Sequence, residues 1–404
     1  MLFDPARHEA LLPMAWNETQ VHAAIADVVQ RTEADWHAQR WWRAHPRDLD
    51  PGDDPAEPAT CLYYGAAGVI WALHHLQALG AARLQRSYLD DLEPLRAANR
   101  AWLDGAGSRD HAAYLMGDLP ILMQAHGHRP SAATAGQIAA LIESNIDHPA
   151  RELMWGSPGT LLAALFLHQR DGDARWLALF QSTAARLWDQ LLWSDEHACA
   201  YWRQDLYGRQ STYLDAVHGF VATASVLIRG RHHLPPGAWA RWQAAIVNTI
   251  TRTATREGSL ANWRANLLTA PGAVPRWLMQ FCHGAPGFVI CLADMPGTEL
   301  DELLLAGGEA TWAAGPLTKG SNLCHGTGGN GYAFLKLHRR TGDTRWLERA
   351  RAFAMHGIAQ MQADLRQHGR LRYSLWTGDP GFAIYLWDCL HGTAQFPTLD
   401  VFWP

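Results

Sequence analysis

The sequence predicts an all-α fold in which about seven helical hairpins close into an α/α toroid. Three observations favour this architecture: short glycine turns recur along the chain, an apolar run at helical spacing follows each turn, and alternating β-branched runs are nearly absent. Internal repeats of this kind are typical of solenoids and closed rings, because a single unit cannot bury its apolar face alone.

Seven glycine turns define the repeat. Five of them have a second glycine three residues after the first, and two lack it; the turns span residues 65–68, 117–120, 156–159, 219–222, 284–287, 326–329 and 378–381. After the third turn, for example, Leu161, Leu162, Leu165 and Phe166 recur at helical spacing. Each turn is therefore predicted to begin a buried helix.

A second motif predicts a partner for that helix. The segments 172–177 and 342–347 share the pattern Gly-Asp-x-Arg-Trp-Leu, and each begins 16 residues after the first glycine of its own turn. Asp173 and Asp343 stand at the N-cap position of the next helix, where a carboxylate accepts hydrogen bonds from free backbone N–H groups. The unit is thus a hairpin of one inner and one outer helix. Seven such hairpins in a double ring leave no terminal repeat exposed.

Composition and charge limit the class of protein. The 404 residues are 48% hydrophobic and 18% charged, as in a globular protein, and the net charge of −5 gives no basic surface for nucleic acid. The N-terminus lacks the basic start and apolar run of a signal peptide, and the longest apolar stretches are too short to be a transmembrane segment. We therefore expect a cytoplasmic protein whose cysteines are reduced thiols.

The chain is expected to have two parts. Residues 61–404 are predicted to form the toroid as a single domain, and residues 1–60 an N-terminal segment. Within that segment, residues 43–58 are predicted to form a loop or lid, because Asp-Pro-Gly-Asp-Asp-Pro lies at their centre.

Two cysteine motifs precede the fifth and sixth turns. Cys282-His283-Gly284 and Cys324-His325-Gly326 share one frame, 42 residues apart. If the two turns are structurally equivalent, Cys282, Cys324 and His325 converge on one ion, and this ligand set suits zinc with an open fourth position. The alternative, that both cysteines are small core residues, leaves the duplicated motif unexplained. The remaining cysteines lack the frame and are interpreted as packing residues.

The ligand set also indicates the chemistry. Two cysteinates and one neutral imidazole leave zinc without net positive charge. A thiol bound to such a zinc ion therefore loses its proton and yet stays nucleophilic. Hydrolytic zinc sites, in contrast, more often use histidines and carboxylates as ligands. The set therefore favours addition of a thiol to an activated alkene, such as a dehydroalanyl or dehydrobutyrine residue. Such an addition needs proton transfer beside the metal. His218, directly before the fourth turn, is the first candidate, and His283 is the second.

The motifs resemble those of the LanC-like (lanthionine synthetase C-like) family. The resemblance covers about residues 62–404 and rests on the seven turns, the paired Cys-His-Gly motifs, and the segments 321–335 and 394–402. It implies an α/α toroid that holds one zinc through Cys282, Cys324 and His325. Dedicated lanthionine cyclases usually have Cys-Tyr-Gly at the first motif, so Cys-His-Gly here is closer to the eukaryotic-type branch.

The resemblance also implies roles for other residues. The family carries its catalytic acid/base histidine in the motif that His218 matches. Cyclases have an aspartate shortly before the third turn, where this chain has Glu152, and a carboxylate there is expected to orient a histidine. Eukaryotic-type relatives contact glutathione with a lysine at the spacing of Lys319, five residues before Cys324. Arg372, close to the seventh turn, is a further candidate for anion binding by position alone.

The sequence thus predicts a zinc-dependent enzyme that forms thioethers by adding glutathione, or another thiol, to dehydroamino acids in peptides or proteins. Two alternatives stay open: a dedicated lanthipeptide cyclase that closes (methyl)lanthionine rings, and a zinc- and glutathione-binding regulator without turnover. A glycan-processing toroid is disfavoured, because the paired catalytic carboxylates of glycosidases are missing.

Overall fold

The structure, a computed structural model, describes residues 1–49, 51–52, 54, 56–269 and 276–403. Asp50, Asp53 and Pro55 of the predicted lid, and Pro404 at the end of the predicted toroid, lie outside the described residues. The division of the chain at residue 60 stays a prediction. No helix in the described ranges has both the length and the apolar character needed to span a bilayer.

Fourteen α-helices make up the described fold, and they form two concentric sets. The inner helices are α2 (Ala66–Ala78), α4 (Leu119–His128), α6 (Ser157–Asp171), α8 (Phe220–Arg229), α10 (Ala285–Leu292), α12 (Thr327–Thr341) and α14 (Asp379–His391). The outer helices are α1 (Glu18–Ala34), α3 (Leu92–Gly105), α5 (Ala132–Ser144), α7 (Ala174–Asp189), α9 (Ala238–Thr253), α11 (Asp301–Ala314) and α13 (Thr344–His368).

Burial distinguishes the two sets. The inner helix α6 is buried on all sides from Ser157 to Leu167, whereas the outer helix α7 buries one face, which includes Trp176, Phe180 and Leu187. Asp173 caps α7 and Asp343 caps α13 through side-chain bonds to backbone N–H groups, as predicted. The ring closes because α14 packs against α2, and α1 packs against α14 as its outer partner.

Three short antiparallel hairpins add to the helices. Their strands are β1 (Leu192–Ser194) with β2 (Cys199–Tyr201), β3 (Gln204–Leu206) with β4 (Arg209–Ser211), and β5 (Thr255–Glu257) with β6 (Leu260–Asn262). Trp193 pairs with Ala200, Asp205 with Gln210, and Arg256 with Ala261. With three residues a strand, they do not change the all-α class.

Among the described residues, backbone hydrogen bonds connect the segments before six of the seven neighbouring pairs of turns, and the fourth and fifth are joined instead by the side-chain contact of Asp215 with His283. Tyr63 N, in the segment before the first turn, donates to Leu115 O, in the segment before the second turn (3.0 Å). In the same way, Cys282 N before the fifth turn donates to Cys324 O before the sixth turn (3.0 Å). The circle is completed where Trp376 N of the seventh donates to Tyr63 O of the first (3.0 Å). All the residues just before the turns therefore lie at one end of the ring.

The C-terminal tail, residues 394–402, fills the centre of the ring. Phe396 stacks on Phe281, with ring centroids 4.4 Å apart, and Phe402 accepts a bond through its carbonyl from Trp71 Nε1 (2.8 Å). Asp400 pairs with the buried Lys336 of α12 (2.7 Å) and with Arg229 of α8. These partners belong to different sides of the ring, so the tail closes the interior beneath the turns.

Close backbone approach explains the second glycine of the turns. A β-carbon added to Gly329 would lie 1.8 Å from the backbone oxygen of Leu323. Leu323 is the residue directly before Cys324. Because that contact is with backbone, it cannot be relieved by a side-chain rotation. The glycine thus lets the inner helix start against the loop that carries the cysteine.

We expect Gly329→Ala to destabilise the fold by about 2–3 kcal/mol, since it forces backbone shifts in a packed core. Gly136→Ala, in α5, is the matched control: nothing lies within 4 Å of its added β-carbon, and alanine is favoured over glycine in a helix by up to about 1 kcal/mol. Thermal unfolding should therefore move the two midpoints in opposite directions. Equal midpoints would show that the turn tolerates a β-carbon.

Candidate metal centre

Three ligand atoms converge where the fifth and sixth turns meet. One ligand atom each from Cys282, Cys324 and His325 lies within 4.8 Å of the other two. The convergence predicted from the shared frame is confirmed, and it follows from the backbone bond between the two cysteines, which sets their segments side by side.

The protonation of this group suits a metal. Hydrogen bonding to Cys324 and burial raise the pKa of Cys282 well above its ordinary value, while the hydrogen bond from Cys282 lowers the pKa of Cys324. The two sulfurs therefore share a proton that a cation can replace. Burial, together with the charges of Lys319 and Arg372, lowers the pKa of His325 to about 3, so its imidazole is neutral as a ligand must be. Two sulfurs and a neutral imidazole fit zinc.

Each cysteine sulfur also accepts a hydrogen bond from a neutral side chain. Gln280 Nε2 donates to Cys282 Sγ (2.9 Å), and Tyr63 Oη donates to Cys324 Sγ (2.8 Å). These donors hold the sulfurs in place without adding charge to the centre.

Two histidine–carboxylate pairs lie beside the centre. Nδ1 of His218 is 2.7 Å from Glu152 Oε2, and Nδ1 of His283 is 2.7 Å from Asp215 Oδ2. Both carboxylates are completely buried, and both also accept bonds from backbone N–H groups: Glu152 from residues 154 and 155, Asp215 from residues 217 and 218. Each pair leaves the Nε2 atom of its imidazole for other partners.

The carboxylates determine the charge of the histidines. Burial opposes protonation of His218, but the hydrogen bond and charge of Glu152, with the charge of Asp215, raise its pKa to about 9. Burial likewise opposes protonation of His283, and the charge and hydrogen bond of Asp215 raise its pKa to about 9. Their ring centroids are 6.5 Å apart, and Tyr213 contacts both rings. Both histidines are therefore protonated at neutral pH and can act as proton donors in the site.

The two candidate anion-binding residues differ in their surroundings. Lys319 is exposed, and its positive charge contributes to lowering the pKa values of Cys324 and His325. Arg372 is instead paired with Asp48 of the N-terminal segment, whose two carboxylate oxygens each lie 2.8 Å from Arg372 Nε. Arg47, the neighbour of Asp48, bonds to Asp364 (2.5 Å) and to the carbonyl of Lys319 (3.1 Å).

A cavity of about 790 Å³ lies against this part of the ring. Its lining includes His325 and Arg372, together with residues of the N-terminal segment such as His45 and Asp48. The aromatic side chains of Tyr63, Tyr64 and Trp102 also line the cavity. The cavity is thus bounded by the candidate metal ligand, by charged groups and by the segment predicted to form a lid.

Comparison with known proteins identifies the family. The model for lanthionine synthetase C-like proteins matches residues 122–401, more than half of the chain. The chain belongs to the LanC-like family. A relative from Danio rerio named glutathione S-transferase LANCL1 is 26% identical over 378 residues, which cover 87% of this chain and 88% of the relative. The LanC-like protein GCL1 of Arabidopsis thaliana is 36% identical over 121 residues, 27% of each chain.

A solved structure supports the LanC-like fold. Nisin cyclase matches with a TM-score of 0.57 at 13% identity, covering 93% of this chain and 95% of that one. The identity is low, so the match concerns the fold: the predicted α/α toroid is confirmed.

Three side chains of this LanC-like site were missed from the sequence. Asp215, Gln280 and Tyr63 each bond to a predicted site residue. The signal was available in the repeat: Glu152, Asp215 and Gln280 all stand four residues before the first glycine of their turns. Tyr63 stands two residues before its glycine, the position that Cys282 and Cys324 occupy in theirs.

Proposed function

We propose that this LanC-like protein is an enzyme that adds the thiol of glutathione to dehydroamino acids in peptides or proteins. The observation that carries the proposal is the convergence of Cys282, Cys324 and His325 beside two histidines that are protonated at neutral pH. Thiol activation and proton delivery are the two requirements of such an addition, and the site offers groups for both.

The three ligands supply the first requirement. When bound there, zinc lowers the pKa of a substrate thiol, and its two cysteine ligands keep the resulting sulfur nucleophilic. The residues of the chain orient this centre through the hydrogen bonds to both sulfurs. They also exclude water, since Cys282 and Cys324 are 8% and 2% exposed.

His218 is proposed to supply the second requirement. In the addition, sulfur bonds to the β-carbon of the alkene and the α-carbon gains a proton. His218 donates that proton from Nε2, because Nδ1 is bound to Glu152, and it is recharged by the proton that the thiol releases. Glu152 holds the ring and favours the charged form. His283, held by Asp215, is proposed as the second acid/base group of the site.

The name of the Danio rerio relative, a glutathione S-transferase, supports glutathione as the thiol donor. Lys319 is proposed to bind one of its carboxylates, because its exposed ammonium lies close enough to influence the metal ligands. Arg372 is proposed to bind a second carboxylate, which requires the pairing with Asp48 to open. The peptide is proposed to occupy the cavity of about 790 Å³, which is lined by charged groups and by aromatic side chains.

A peptide with one dehydroalanine and one cysteine tests the proposal against its rivals. Incubated with zinc-loaded protein and glutathione, it should gain the mass of one glutathione and retain its free cysteine. Loss of the free thiol without a change of mass would instead indicate ring closure by a cyclase. An unreacted peptide would contradict both activities and favour the regulator without turnover.

Lys319→Ala should raise the KM for glutathione about fivefold, because an exposed ion pair contributes up to about 1 kcal/mol. The KM for a small uncharged thiol such as 2-mercaptoethanol should stay the same, and Lys319→Arg should retain most of the affinity for glutathione. Steady-state kinetics with both thiols measures the difference. An equal rise for the two thiols would contradict carboxylate binding by Lys319.

A further inference from the structure

The hydrogen bonds to the cysteine sulfurs extend the site beyond its ligands. Gln280 donates to Cys282 at 2.9 Å, and Tyr63 donates to Cys324 at 2.8 Å. Gln280 is 4% exposed, so water does not compete with it for the sulfur. Each of the two sulfurs therefore has its own donor, one from the fifth turn and one from the first.

Arg7 determines which end of the Gln280 amide faces the sulfur. Arg7 Nη2 donates to Gln280 Oε1 at 3.0 Å, and a guanidinium can only donate. The amide oxygen is thus fixed towards Arg7, and the amide NH2 is directed at Cys282. Without Arg7, the amide can rotate and present its oxygen to the sulfur, which repels a thiolate.

Arg7 is itself held by backbone pairing. Its carbonyl accepts bonds from Thr318 N (3.1 Å) and Thr318 Oγ1 (3.2 Å), and the next pairing is from Glu9 N to Pro316 O (3.0 Å). The start of the chain therefore lies along the segment that leads to Lys319 and the second cysteine motif.

We propose that Gln280 and Tyr63 are positioning residues that tune the two sulfur ligands, and that Arg7 acts on the metal centre through Gln280. A hydrogen bond lowers the energy of the sulfur lone pair it engages, and so reduces the electron donation of that sulfur to a metal. The N-terminal segment is then part of the centre. This inference rests on the proposed metal site.

Cobalt(II), bound to the protein in place of zinc, gives a readout that is independent of catalysis. Loss of a hydrogen-bond donor raises the energy of the sulfur lone pair. The sulfur-to-cobalt charge-transfer band should therefore move to longer wavelength in Tyr63→Phe and in Gln280→Leu. Metal affinity, measured by competition with a chelator, should fall about tenfold in each, because the sulfur loses the bond that holds it in position and this loss outweighs the gain in electron donation.

Two variants control for general loss of packing. Tyr114→Phe removes a buried hydroxyl that donates to Thr398 O, and Gln124→Leu removes a buried amide that donates to Ala67 O. Among the described residues, neither side chain has a bond to a sulfur. Both controls should keep the band position and the affinity of the unaltered protein.

The Arg7 step is tested with a double variant. Arg7→Met should shift the band in the same direction as Gln280→Leu, and the two changes together should have no more effect than Gln280→Leu alone, because Arg7 acts through that amide. Additive effects would overturn the Arg7 step. Band positions in Tyr63→Phe and Gln280→Leu identical to the controls would overturn the inference while leaving the metal site intact. Failure of the unaltered protein to bind cobalt or zinc would overturn both.

Discussion

Cys324→Ala is expected to weaken zinc binding by more than a hundredfold and to abolish thiol addition. Structural zinc sites bind with about 10–16 kcal/mol in total, so the loss of one ligand removes roughly 3 kcal/mol. Zinc content after dialysis against a chelator, measured by elemental analysis, checks this result. The backbone N and O of Cys324 that link the turns are retained in alanine.

Cys199→Ala is the matched control for Cys324→Ala. Cys199 is also a buried free thiol, but it lies on β2 and belongs to no ligand group within the part of the chain that the structure describes. Zinc content should be unchanged in this variant. A Cys324→Ala protein that keeps its zinc and its activity would contradict the assigned ligand set.

His218→Asn is expected to keep zinc and to lose about 10²- to 10⁴-fold in kcat, the range that general acid–base catalysis contributes. The zinc ligands are untouched, and His218 has no hydrogen bond to either sulfur among the contacts of the described residues. Zinc content and kcat measured on the same preparation separate this effect from loss of the metal. Full turnover without the imidazole would contradict its proposed role.

The role of His218 as a proton donor also predicts how the activity should depend on pH. The active form of His218 is the protonated one, so the activity that depends on it should be present below its pKa and lost as the pH rises through about 9. Glu152→Gln removes the charge that raises this pKa, and the alkaline limb should then move towards the ordinary value of 6.5. An unchanged alkaline limb would show that another group limits the reaction.

Much of the fold was predictable because the repeat is encoded locally. The glycine of each turn, the apolar run after it and the capping Asp173 and Asp343 all act within a few residues of their own positions. Once the turns are equivalent, the side-by-side packing of the fifth and sixth turns brings Cys282 beside Cys324. The convergence of the ligands therefore followed from the frame of the two motifs alone.

The partners of these residues were harder to predict, because they come from distant parts of the chain. Arg372 meets Asp48, and Gln280 meets Arg7, across sequence separations of 324 and 273 residues. The N-terminal segment has no repeat of its own, so nothing in its sequence indicates which turn it contacts. Only packing of the whole ring determines these pairs.

The metal dependence of glutathione addition tests the central proposal most directly. Protein stripped of metal, the same protein with zinc restored, and Cys324→Ala protein treated identically would each be incubated with glutathione and a dehydroalanine peptide, and the adduct measured by mass spectrometry. We expect the adduct only with zinc restored to the unaltered protein. Equal adduct formation in all three samples would contradict a zinc-dependent thiol addition at this site.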